Sequence, residues 1–406
     1  NNWSYTSGGM GGASVPGETN IAIFNGGNTN SCQIDVSSTV ASVIIYSTYT
    51  ATVSINSGKS LTTSGSFEIS GGTFTTNGQL LQVGSYAQTG GIFNAGGSTV
   101  TCNGNFSVTG GSFNSGFSTL ILDATNGDAT FTGNGYTFNN VIFQSTGTVA
   151  RTWTLGGGAI TFNGNFELKA QGSANLTVTG ATNNPDLNIL GIVDYTGTGA
   201  GSESLSMGNG TWTVSNNVDF RGGDITAGNS TLIMNGTGRN IYANNQTLKN
   251  FTISGNTTIN TNSVYVGGIL TVDSSRTLTI NTSQYVYMNN GSTTTINGTI
   301  TGAGTLELRD DAARCLSTTG TLSSRVRFNT QSANITVLAR TYGGVVEFYN
   351  NTATNYTVTL GTAASQTLTF QNNFIPMANA GGNITIDASV HNPNITISGI
   401  LDYRGT

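Results

Sequence analysis

The densest group of chemically capable side chains in this chain is Glu307, Arg309, Asp310, Asp311 and Arg314, with Arg325 and Arg327 following less than one repeat later. Two carboxylates facing one groove, one of them still protonated at neutral pH, are what glycoside hydrolysis needs. Carboxylates interleaved with guanidiniums can also hold a polar ligand, which makes these five the candidate ligand-binding residues. The competing reading is a solvated loop whose charges compensate one another. The alternation of signs favours that reading.

Other chemistries find less support. The single histidine, His391, precedes Asn392-Pro393 and reads as a turn residue rather than a general base. Serine nucleophile chemistry would need that same histidine, and no Gly-x-Ser-x-Gly elbow leads into a helix. The glycine-rich stretches open no helices, so phosphate-cradling loops are not expected. Gly222-Gly223-Asp224 does not fit the calcium nonapeptide frame. Asp194-Tyr195 and Asp402-Tyr403 recur in equivalent places and could form a repeated ligand site, although an aspartate capping a coil corner is the favoured reading. Cys32, Cys102 and Cys315 are too few and too far apart for a disulfide framework or zinc site, and read as small buried hydrophobes. No enzymatic activity, metal or cofactor is expected.

The elements that position these residues follow from composition and repetition. Of 406 residues 57 are Gly and 8% are charged, yet 36% are hydrophobic, with 18 Phe and 14 Tyr spread along the chain. A disordered linker would lack those apolar residues. Short alternating runs between Gly/Asn turns indicate an all-β chain. The net charge of −5 offers no basic stripe for nucleic acid. No apolar run is long enough to span a bilayer as a helix. The chain opens on Asn1 without a signal segment, which suggests a processed or trimmed form.

Repeats decide the fold class. Ser70-Gly71-Gly72-Thr73-Phe74, Thr89-Gly90-Gly91-Ile92-Phe93 and Thr109-Gly110-Gly111-Ser112-Phe113 recur at steps of 19 and 20 residues, and Arg221-Gly222-Gly223-Asp224-Ile225 repeats the pattern. Thr161-Phe162 matches Thr369-Phe370 and Asp194-Tyr195 matches Asp402-Tyr403, both at an offset of 208 residues. Equal offsets mean equal coil counts between copies. A unit of about 20 residues cannot bury its apolar face alone, whereas stacked units share a continuous core. These observations predict a right-handed parallel β-helix with coils of about 20 residues. Residues 1–35 should form an N-terminal capping or docking segment, and 36–406 one continuous solenoid with internal duplications. Phe74, Phe93, Phe113 and Ile225 should form an inward structural ladder.

The opening Asn2-Trp3-Ser4, Gly11-Gly12-Ala13, Val15-Pro16-Gly17 and Cys32-Gln33-Ile34-Asp35, with the Gly-Gly-x-Phe coils and Thr137-Phe138-Asn139-Asn140-Val141, resembles secreted bacterial Gly/Thr/Asn-rich repetitive β-helical surface proteins. These include adhesins, autotransporter-passenger-like proteins and sheath or surface-layer components. The resemblance covers nearly the whole chain and carries over no catalytic residues. It implies an extracellular or cell-surface location. Pectin-degrading β-helices are a poorer match, because Asp310-Asp311 has no His-Gly partner.

Together these readings favour an extracellular structural subunit of a surface sheath, layer or filament, associating with itself or with neighbouring domains of a longer chain. An adhesin stalk or glycan-binding module is the first alternative. A tailspike-like carbohydrate-degrading β-helix is the second.

Overall fold

The computed structural model describes residues 3–6, 9–27, 30–125, 127–133, 135–310, 316 and 319–405. Among these the protein is all-β, and its strands stack in parallel as a β-solenoid of about 16 turns with a spacing of about 21 residues. Among the described residues no helix is long and apolar enough to cross a membrane. The chain divides into two compact units, Asn1–Gly210 with Gly222–Asp224, and Thr211–Arg221 with Ile225–Thr406.

In the first unit, one sheet runs from Ile21–Phe24 through Ser85–Asn94 to Glu203–Ser206, a second from Ser38–Val40 to Val193–Tyr195, and a third from Thr137–Phe138 to Asp186–Ile189. Most strands bury alternate residues, as period-two side chains on a one-sided sheet do. Because the register is conserved from coil to coil, inward residues form columns. Ala22, Val43, Phe67, Tyr86, Phe106, Phe131 and Leu155 succeed one another as direct partners. Their rings stack, with centroids 4.6 Å apart for Tyr86 and Phe106. Phe93 lies between Phe74 at 5.9 Å and Phe113 at 5.1 Å, and all three are buried. Within the N-terminal segment, Ile21–Phe24 already pairs in solenoid register with Ser42–Ile45, and Trp3 lies edge-on against Phe24.

The glycine pairs do more than bend the chain. Gly71-Gly72 separates two strands, but Gly90-Gly91 lies inside the single strand Ser85–Asn94, where the register slips. A Cβ on Gly90 would sit 2.3 Å from the Ser70 carbonyl oxygen, and Gly111, at φ 76°, stacks as closely on Gly91. Glycine recurs because successive backbones touch there.

The second unit follows the same scheme, with sheets from Thr211–Val214 to Thr293–Ile296, from Val218–Asp219 to Thr321–Leu322 and from Thr247–Leu248 to Arg404–Gly405, and two three-stranded sheets beyond. Phe328 stacks on Phe348 at 5.3 Å and Tyr342 on Phe370 at 5.3 Å. Ile225, in Gly223–Thr226, is half-buried rather than enclosed like Phe93.

Asparagine has a repeated task in both units. The side-chain oxygens of Asn105, Asn140, Asn165 and Asn175 accept the backbone N–H of Thr130, Asn165, Ile192 and Ser202, one coil further on. Asn217, Asn250, Asn256 and Asn373 do the same for Asn240, Ile269, Thr277 and Ile400. Amides at or near the start of a strand or bridge are thereby satisfied by the preceding coil.

Candidate functional site

Glu307, Arg309, Arg325 and Arg327 stand on the outer face of one sheet in the second unit. The strands Tyr285–Met288, Thr305–Arg309, Arg325–Thr330 and Val346–Asn350 stack in register. Val286, Leu306, Val326 and Val346 point inward and are fully buried. The residues between them therefore point outward, and one column reads Tyr265, Tyr287, Glu307, Arg327, Glu347. Neighbours in such a column lie about 4.8 Å apart. Like charges there would repel, and the column alternates sign instead.

Glu307 is 3% exposed. Its Oε1 accepts from Arg309 Nε at 3.0 Å and from Asn329 Nδ2 at 2.9 Å, while Arg327 Nη1 lies 3.6 Å from Oε2. Arg327 Nε donates to Glu347 Oε2 at 2.9 Å, and Arg325 pairs with the other Glu347 oxygen. Burial pulls the Arg327 guanidinium down, but Glu347, with Tyr285 and Glu307, more than compensates and leaves its pKa raised. Above Glu307, Tyr265 and Tyr287 stack at 4.5 Å, and the Arg309 guanidinium lies 4.4 Å from the Tyr287 ring centre. Burial, and next the Glu307 carboxylate, push the Tyr287 phenol up. These ring faces lie against one another and against Arg309.

Asp310 belongs to a different network. One residue past the strand, at φ 43°, its carboxylate accepts the N–H groups of Gln331 at 2.7 Å and Ser332 at 2.9 Å, and the Ser332 hydroxyl at 2.7 Å. It closes the turn of the following coil. Asp123 holds Thr146 in the same way in the first unit. The structure thus brings Glu307 and Arg309 together with Arg325 and Arg327, and gives Asp310 partners of its own. Asp311 and Arg314 lie outside the described residues, as does Cys315.

Sequence reading missed Asn329, Glu347 and the tyrosines. A signal for them exists, because Tyr287, Glu307, Arg327 and Glu347 are spaced at twenty-residue steps, the local coil length.

The remaining candidates separate. Asp194 accepts the N–H of Tyr195 at 2.8 Å, and buried Tyr195 donates to the Asp224 carbonyl at 3.2 Å, whereas Tyr403 is 70% exposed. The two Asp-Tyr copies therefore occupy unlike environments. Cys102 is buried, which pushes its thiol up to about 12, and Cys32 is half-buried; both are free thiols. Glu203, unremarked in the sequence, is buried in the first unit, and its Oε1 accepts the Ala170 N–H. Beside Cys32 an apolar cavity of about 100 Å³ is lined by Trp3, Val15, Phe24, Ile34 and Val40. Among the described residues no three His, Cys, Asp or Glu side chains are placed to share a metal ion.

The chain matches no known family, no curated protein and no solved structure.

Proposed function

We propose that the chain is a secreted structural protein, a β-solenoid subunit of a cell-surface sheath, layer or filament. The observation that carries this reading is how its polar side chains are used. Glu307, Glu347, Asp310 and Asp123, with the turn asparagines, bind the coil beside their own. Groups that could do chemistry are engaged in fastening one coil to the next. Ile395, Ile400, Leu401 and Tyr403 add an exposed apolar surface through which subunits associate. Negative-stain microscopy of the purified chain over a range of concentrations tests the reading. Filaments or layers are the expected result, and dispersed monomers at the highest concentration would overturn it.

A further inference from the structure

Tyr265 and Tyr287 are direct partners on adjacent parallel strands, and their rings stack at 4.5 Å with planes 19° apart. Tyr285 also stacks on Tyr287, at 5.1 Å and 3°. All three are half-exposed, so solvent and small oxidants reach them. Elsewhere on the surface Tyr5, Tyr46 and Tyr403 are more exposed, but among the described residues no ring stacks on them.

We propose that Tyr265 and Tyr287 form an oxidative coupling site, at which a dityrosine bond joins one coil covalently to the next. The oxidant is a peroxide used by a peroxidase. Each phenol loses one electron and its hydroxyl proton, giving neutral phenoxyl radicals with spin density on the Cε carbons ortho to oxygen. The two Cε carbons bond, and each then loses its hydrogen as the ring regains aromaticity and its phenol O–H. In sum two electrons and two protons leave the tyrosines, and one hydrogen peroxide becomes two water molecules.

Placement selects the pair. Coupling of free phenols is bimolecular, and holding both rings in contact makes it effectively unimolecular. The Arg309 guanidinium, 4.4 Å from the Tyr287 ring centre and 5.5 Å from that of Tyr265, opposes a bare radical cation. Electron loss must therefore accompany proton loss to water, which half-exposure permits. Tyr285 relays oxidation to Tyr287 but lies on the same strand, so only the Tyr265–Tyr287 bond crosses between coils. This inference rests on ring geometry and does not require the proposed structural role.

The test treats the dilute, monomeric chain with peroxidase and hydrogen peroxide, then reads dityrosine fluorescence and maps cross-linked peptides by mass spectrometry. The expected product is an intrachain peptide pair joining Tyr265 to Tyr287, lighter than the sum of its parts by two hydrogen atoms. Tyr265→Phe and Tyr287→Phe, which keep the ring packing, should each lose it, and Tyr403→Phe should retain it. Unfolding the chain in urea before oxidation should also abolish it. The proposal is overturned by a monomer without the 265–287 product, by coupling confined to Tyr285–Tyr287 or to intermolecular pairs, or by a product that survives Tyr287→Phe or urea.

Discussion

Glu203 Oε1 accepts the backbone N–H of Ala170 at 2.8 Å, and the glutamate that makes this bond is only 4% exposed. Burial raises its pKa above the ordinary 4.5, against the opposing pull of the Ala170 and Gly197 amides. The folded state therefore holds this proton more tightly than the unfolded chain does. Below 4.5 both states are protonated and the effect vanishes. As pH rises through that value, the unfolded chain ionises first and stability falls, until the folded carboxyl also ionises and the penalty becomes constant. Glu203→Gln keeps an acceptor and cannot ionise. The melting temperature of the variant relative to the parent should thus be more favourable at about pH 7 than at about pH 4. A difference that does not change with pH would contradict the assignment.

The aromatic column gives a second test. Phe93 contacts Phe74, Phe113 and Tyr86 and has no exposed surface, while its neighbour Ile92 on the outer face is 39% exposed. Phe93→Ala should cost about 3–5 kcal/mol as a core truncation. Ile92→Ala should stay within about 0.5 kcal/mol. Denaturant unfolding measures both, and equal effects would show the strand register to be reversed.

The Phe column was legible in the sequence because Gly-Gly-x-Phe recurs at nearly constant steps, and a solenoid turns constant steps into contact. Ile225 shows the limit of that reasoning. It occupies the same motif position after Gly222-Gly223, yet the strand there is only half-buried. Motif position sets the direction of a side chain but not what covers it. The charged cluster was grouped by sequence proximity, which placed Asp310 with Glu307. In the fold, proximity runs across coils, so Glu347, twenty residues further on, is a direct partner of Arg327. The role of the asparagines was half visible. Their turn preference could be read, but the bond from each to the next coil depends on stacking, which residue type does not encode.

Asp310 separates strain from capping. Its φ of 43° suits glycine, so if backbone strain dominated, Asp310→Gly would stabilise the protein. Its carboxylate, however, accepts the turn amides of Gln331 and Ser332. Removing it hands those donors to water and gives up hydrogen bonds to a charged acceptor, which contribute about 1.5–3 kcal/mol. Both Asp310→Gly and Asp310→Ala should therefore destabilise, with faster hydrogen exchange at the amides of residues 331 and 332. A stabilised glycine variant would mean that strain outweighs the cap.

The last prediction concerns association. Ile400 and Leu401 are 65% and 57% exposed, and Leu401 bridges in parallel to Phe374, whose ring lies in the core against Phe348 and Phe370. Leu401 thus extends that apolar column by one layer and remains exposed. Contact with a second copy would remove that apolar area from water at about 25 cal/mol per Å². Lysine at both positions should oppose the contact, because two unpaired ammonium groups would have to be desolvated there. Both side chains are already more than half exposed, so the packed columns before them stay intact. Ile400→Lys with Leu401→Lys should therefore reduce assembly, read by sedimentation and by negative-stain microscopy, while the melting temperature of the monomer stays near that of the parent. If the double variant assembles as readily as the parent, this surface does not mediate association, and contacts between the polar outer faces of the sheets must hold the subunits together.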